Sequence, residues 1–247
     1  LRIIISQILL FICISANAQT AKEIIQKAEE NARGVKTSQS NITITIVRPK
    51  WTRDMSLKTW SKGQKYSLIL ITDPVKEKGN TFLKRDKEIW YWVPAIERTI
   101  KMPPSMMMQS WMGTDFTNDD LVRESSTVND YTHRIVSEES IDGRNCYKIE
   151  LTSKPDAPVV WGKINVWIDK KDFIQLRAEM FDEDGQLINV MLSSELKNIG
   201  GRLLPTIMEL IPQDKKGHKT IMKILFMEFD KPISDDFFTI QNMKKVK

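Results

Sequence analysis

Apolar and polar residues alternate along most of this chain. In residues 40–47 (SNITITIV), Ile42, Ile44 and Ile46 share one face, the two-residue period of a half-buried strand. Similar runs follow in pairs around turn signals. Lys62-Gly63 separates 53–61 from 64–72, and Asp86-Lys87 separates 80–85 from 88–93. Asp142-Gly143 separates 132–139 from 145–152, and Lys170-Lys171-Asp172 separates 162–169 from 173–181. Asp184-Gly185, Gly200-Gly201 and Lys216-Gly217 introduce 186–195, 202–211 and 219–229. Tight turns between successive strands predict a long antiparallel meander, which must curl into a barrel or an incomplete barrel. A different period appears once. In residues 20–34, Ala21, Ile24, Ile25 and Ala28 form an apolar stripe, Thr20 and Glu23 make a capping box, and Gly34 ends the run; this predicts a helix that packs on the sheet.

Some strands break the half-polar rule. In residues 88–93, Ile89, Tyr91 and Val93 point one way while Trp90 and Trp92 point the other. Such a strand needs an apolar neighbour on each side. We expect the Trp face to look inward, because bulky flat rings suit a wide cavity. Just beyond, Met102, Met106, Met107, Met108, Trp111 and Met112 lie in a segment broken by Pro103-Pro104. No regular element can bury them on one face, so they cover a core, line a pocket or face a partner. Methionine is flexible and polarizable and adapts to irregular apolar ligands. A lid over a lipid site and a permanent plug both fit. Arg98 and Lys101 flank the cluster and suit a phosphate or carboxylate headgroup. Asp115 and Asp119 stand where a helix cap would anchor the loop.

Composition narrows the function. Residues 1–18 carry one basic residue, a short apolar run and an Ala-x-Ala end, the pattern of a cleaved secretory signal peptide; the apolar run is shorter than the ~20 residues of a membrane span. Residues 19–247 then fit one domain. Beyond residue 18 only Cys146 remains, so no internal disulfide forms, which suits a bacterial periplasm. The net charge of +5 is spread out and gives no clustered face for nucleic acid. His133 and His218 are the only histidines, no nucleophile–base motif occurs, and no enzyme activity, cofactor or metal is expected. Asp182-Glu183-Asp184-Gly185 is better explained as a β-turn than as a calcium loop.

Tyr91-Trp92-Val93-Pro94, Arg98, Met112-Gly113-Thr114-Asp115-Phe116 and Asp119-Asp120-Leu121 resemble the outer membrane lipoprotein-sorting protein family of the LolA-like superfamily. The resemblance implies a mainly β fold: an incomplete antiparallel barrel of about eleven strands, with an N-terminal helix and short helices over its concave side. It implies a periplasmic carrier of lipoprotein acyl chains or other lipids toward the outer membrane. Candidate partners are an inner-membrane transporter and an outer-membrane acceptor, and a monomer is expected. A lipid- or lipoprotein-sensing regulatory module is the alternative, because a shared fold does not fix the task.

Overall fold

The computed structural model describes residues 19–123 and 126–247; the expected signal peptide lies outside them. Helix α1 (Ala21–Arg33) begins as its sequence predicts, with the Thr20 hydroxyl accepting from the Glu23 amide and the Glu23 carboxylate accepting from the Thr20 amide. It is followed by β1 (Thr37–Arg48), β2 (Trp51–Lys62), β3 (Tyr66–Asp73), β4 (Thr81–Arg85), β5 (Glu88–Val93) and β6 (Arg98–Lys101). After a long connection come β7 (Tyr131–Ile141), β8 (Arg144–Ser153), β9 (Lys163–Asp169), β10 (Gln175–Phe181), β11 (Leu187–Ile199), β12 (Arg202–Pro212) and β13 (Lys219–Phe229). A 3-10 turn (Asp235–Phe237) and the four-residue α2 (Ile240–Met243) end the chain.

The thirteen strands among the described residues form one antiparallel sheet in the order β6-β5-β4-β3-β2-β1-β13-β12-β11-β10-β9-β8-β7. The meander is thus mainly β as expected, with thirteen strands rather than about eleven. The sheet stays open: β6 and β7 are its edges. The chain starts at the centre, walks out to one edge through β6, crosses to the far edge, and walks back until β13 pairs with β1, Val47 opposite Lys219. The connection from Met102 to Asp130 is therefore a crossover between the two edges of the sheet.

Side-chain alternation divides the sheet into two faces. The inner face carries Ile44, Ile46, Met55, Leu57, Ile71, Phe82 and Ile89 from one half and Ile149, Leu151, Val166, Ile168 and Leu210 from the other. The crossover and α1 cover it, contributing Met107, Trp111, Phe116, Ile24 and Ile25 to the same core. Helix α1 is fixed by two distant segments: Arg202 at the start of β12 donates to the carbonyls of Glu30, Asn31 and Gly34, closing the helix C-terminus, and Glu29 accepts from the amide and hydroxyl of Thr127 in the crossover. On the outer face, Trp60, Leu68, Leu70 and Leu83 form a second core. The C-terminal segment covers it with Phe238 and Met243, and Tyr66 stacks on Phe238 with ring centres 5.7 Å apart. A third cluster around Cys146, Trp167 and Leu176 lies under the β7–β10 part of that face, with Cys146 a free, buried thiol.

Candidate functional site

The crossover is a small hairpin laid on the inner face. Past Pro103-Pro104, the amide of Trp111 donates to the Phe116 carbonyl at 2.8 Å, that of Asn118 to Gln109 at 2.9 Å and that of Asp119 to Met107 at 3.1 Å, and Ser110 bridges to Thr117. At the tip, Met112 and Gly113 have φ of 49° and 79°, the two left-handed positions of a twist-matched hairpin turn. Thr114 secures the turn, its hydroxyl donating to the Trp111 carbonyl at 2.7 Å.

Two arginines hold this tip to the sheet. Arg48 continues the face of Ile42, Ile44 and Ile46 at the end of β1, so the strand's period points its guanidinium inward. It donates to the Asp115 carboxylate at 2.9 Å and to the Gly113 carbonyl at 3.1 Å. Arg53 shares the face of Met55 and donates to the Met112 carbonyl at 2.6 Å and to Glu77 at 2.7 Å. Thr220 of β13 completes the attachment, accepting from the Asp115 amide and donating to its carboxylate. Neither arginine is among the candidates named from the sequence. The signal was present, because each extends an apolar face by one polar position.

Beneath the tip the packing is aromatic. Trp111 is fully buried, its ring centre 5.5 Å from that of Phe82. Phe82 stacks in parallel on Tyr91 at 4.4 Å. The Tyr91 hydroxyl donates to Asn80 at 3.1 Å and lies 3.8 Å from the Met112 sulfur; burial, with the Glu77 charge second, pushes its pKa up. Among the described residues, the Trp111 indole N–H has no hydrogen-bond partner, a cost offset by seating the ring in the core. Met102 and Met107 are buried, Met106 and Met112 half-buried, and Met108 points into solvent.

The returning arm ends in a π-helical turn, Asp119–Arg123. Its cap differs from the expected one. Thr117 and Asp120 form it reciprocally, the Thr117 amide donating to the Asp120 carboxylate at 2.8 Å and the Asp120 amide to the Thr117 hydroxyl at 3.1 Å. The Asp120 carboxylate also accepts from the Trp161 indole at 3.1 Å. Burial raises the Asp120 pKa against these bonds. Asp119 is buried beside it, and Asp115 anchors the loop by ion pairing rather than by capping.

The sheet separates Trp90, Trp92 and Lys101 from the crossover and from Arg98. Tyr91 and Ile89, not Trp90 and Trp92, face the crossover. Trp90 and Trp92 lie on the outer face against the second core, because the C-terminal segment supplies the apolar neighbour they require. Lys101 pairs with Trp90 across β5–β6 and so shares the outer face, where it meets Glu88 and lies 5.9 Å from the Trp90 ring. Arg98, paired with Val93, is on the inner side and exposed. The two basic residues are thus on opposite faces and do not form one headgroup site. A half-open recess of about 430 Å³ lies elsewhere, lined by Ile141, Leu176, Arg177, Leu192, Ser193 and Glu209. Among the described residues, no group of three or more His, Cys, Asp or Glu side chains is arranged to hold a metal ion, and no helix is long and apolar enough to cross a membrane.

A family model described as "uncharacterized protein" matches residues 63–245. No curated protein sequence matches the chain. Solved structures do. A domain assigned to outer membrane lipoprotein sorting from Vibrio parahaemolyticus superposes with a TM-score of 0.82 at 18% identity, covering 91% of this chain and 98% of its own. A DUF1329 family protein from Desulfovibrio piger gives 0.82 at 24% identity, covering 90% and 98%. A LolA superfamily protein from Nitrosomonas europaea gives 0.79 at 25% identity, covering 91% and 99%.

Proposed function

Because this chain belongs to the family whose model spans residues 63–245 and has the fold of LolA superfamily proteins, we propose that it is a periplasmic carrier of lipid or lipoprotein acyl chains. One observation carries the reading. The apolar inner face of β1–β5 is covered by an irregular crossover, not by a second sheet or a long helix, and the cover inserts Met102, Met107, Trp111 and Phe116. Such a cover can be exchanged for another apolar body without unpairing any strand.

Magnitudes favour an exchange over a one-way reaction. Each buried methylene of an acyl chain contributes ~0.8 kcal/mol, so about ten contribute ~8 kcal/mol. Lifting the hairpin exposes Met107, Trp111 and Phe116, at ~1.5–3 kcal/mol each, and returns Arg48 and Asp115 to water, where regained hydration offsets most of their lost attraction. The two sums are similar, as a carrier that both loads and unloads requires. In this reading Met102, Met106, Met107, Trp111 and Met112 line the loaded site, and Arg98 at its edge meets the anionic headgroup. Transfer toward the outer membrane, from an inner-membrane donor to an outer-membrane acceptor, is the task that the similarity to a lipoprotein-sorting domain supports.

Native mass spectrometry of protein purified from its own cells, with uptake of a fluorescent fatty acid, tests the proposal. Bound lipid or saturable uptake supports it. Protein that is lipid-free and takes up none overturns it.

A further inference from the structure

The sheet presents two rims of turns, and their exposed residues differ. At one rim lie the hairpin tip Arg48–Trp51, the 73–80 loop, the Pro94–Glu97 turn and the 213–218 tip, since β1, β3, β5 and β12 all run toward it. Three large apolar side chains project from these turns: Trp51 is 51% exposed, Val75 85% and Ile96 59%. Among the described residues, none of the large exposed apolar side chains sits in the turns of the opposite rim.

The turns form a belt. A Cβ added at Gly217 would lie 3.4 Å from the Pro49 ring, which places the 213–218 tip beside the Arg48–Trp51 tip. A Cβ at Gly79 would lie 3.3 Å from the Pro94 ring, which places the 73–80 loop beside the Pro94–Glu97 turn. Arg53 links the two halves, bonding Glu77 of the loop and Met112 at the crossover tip. Lys50, Lys76, Lys78, Lys215 and Lys216 are exposed along this belt, against the exposed acids Asp73, Glu97 and Asp214. The next turn of the same rim, 182–186, is acidic, with Asp182, Glu183 and Asp184. Apolar tips between lysines, bounded by acid on one side, suit one kind of partner. Tryptophan and aliphatic side chains enter the headgroup layer, and lysines meet anionic phosphates there.

We propose that this rim docks on an anionic bilayer surface, with Trp51, Val75 and Ile96 as the inserted side chains. Docking sets the crossover tip, Met112-Gly113, at the membrane surface, since the tip belongs to the same rim. It goes beyond the carrier reading and does not require it: a protein that carries no lipid can still dock.

Sedimentation with sucrose-loaded vesicles of phosphatidylcholine, with or without phosphatidylglycerol, tests the proposal. The purified protein is expected to sediment with the phosphatidylglycerol vesicles, and less so at high salt. The triple variant Trp51→Ser, Val75→Ser, Ile96→Ser is expected to lower the partition coefficient by about tenfold or more, since binding scales with buried apolar area. Lys50→Gln, Lys76→Gln and Lys78→Gln together should remove most of the preference for the anionic lipid. Leu225→Ser, an exposed apolar change on β13 away from the rim, should leave binding unchanged. Wild-type protein that stays in the supernatant, a triple variant that binds like wild type, or an equal loss in Leu225→Ser overturns the proposal. Lipid content measured on vesicle-free protein reports on carriage separately.

Discussion

The Arg48 guanidinium lies 2.9 Å from the Asp115 carboxylate, and the two side chains are only 10% and 4% exposed. This pair ties the end of β1 to the turn of the crossover hairpin, with Thr220 of β13 as a third member. Removing one partner strands the other in a nearly dry site. Arg48→Met is therefore expected to lower stability by about 3 kcal/mol, and a double-mutant cycle with Asp115→Asn should return a coupling energy above ~1 kcal/mol. Urea unfolding midpoints measure both. In the carrier reading, Arg48→Met also speeds fatty-acid uptake; an unchanged rate marks the hairpin as a fixed plug.

Asp120 gives a pH dependence of definite sign. Its folded pKa is raised above the reference of 3.8, with desolvation the largest cause. The native state then holds a proton that the unfolded chain has already lost, so stability falls as pH rises from about 4 through the raised folded value. Asp120→Asn, which cannot ionise, should flatten that slope. Denaturant midpoints of the two proteins from acidic to neutral pH are expected to converge at the acid end and separate in favour of the variant as pH rises. Midpoints that separate the other way would sink the assignment.

Trp111 combines full burial with an indole N–H that lacks a partner among the described residues. Trp111→Phe keeps most of the volume and removes the orphan donor, so its cost should stay below about 1.5 kcal/mol. Trp111→Ala leaves a cavity against Phe82 and should cost about 3–5 kcal/mol. Thermal unfolding separates the two. Added fatty acid should raise the melting temperature of Trp111→Ala more than that of the wild type.

Phe238 is fully buried against the outer face, within a segment whose only α-helix is four residues long. Its role is to cover Trp60, Leu68 and Leu83. Phe238→Ala is expected to cost about 3–4 kcal/mol, and deletion of residues 231–247 to leave protein that aggregates. Lipid uptake per folded molecule should be unchanged by Phe238→Ala, since the change lies on the face opposite the crossover.

The meander was legible because its signals are local. Ile42, Ile44 and Ile46 alternate, and Lys62-Gly63, Asp142-Gly143 and Gly200-Gly201 turn the chain where the structure turns it. Helix α1 announced itself through Thr20, Glu23 and Gly34. The faces of β5 were not legible. Trp90 and Trp92 oppose Ile89 and Tyr91, all four are apolar, and their assignment depends on Phe237 and Phe238, roughly 145 residues away by the numbering. The segment carrying those phenylalanines has no period from which to read it. The cap was legible in part: Thr117 and Asp120 stand three residues apart and form a local reciprocal box, like Thr20 and Glu23, whereas the bond from Trp161 to Asp120 comes from a distant loop.

The pairing of β1 with β13 has a consequence for folding. β2 follows β1 directly and occupies one of its sides, while the other side needs Lys219–Phe229, far along the chain. Until those residues arrive, β1 is an apolar, half-matched strand whose free backbone groups invite pairing with any other chain. Closure must wait for contacts of very long sequence separation, which makes folding slow. An intermediate without this pairing has raw edges on both β1 and β12, with α1 and the crossover hairpin bridging two half-sheets.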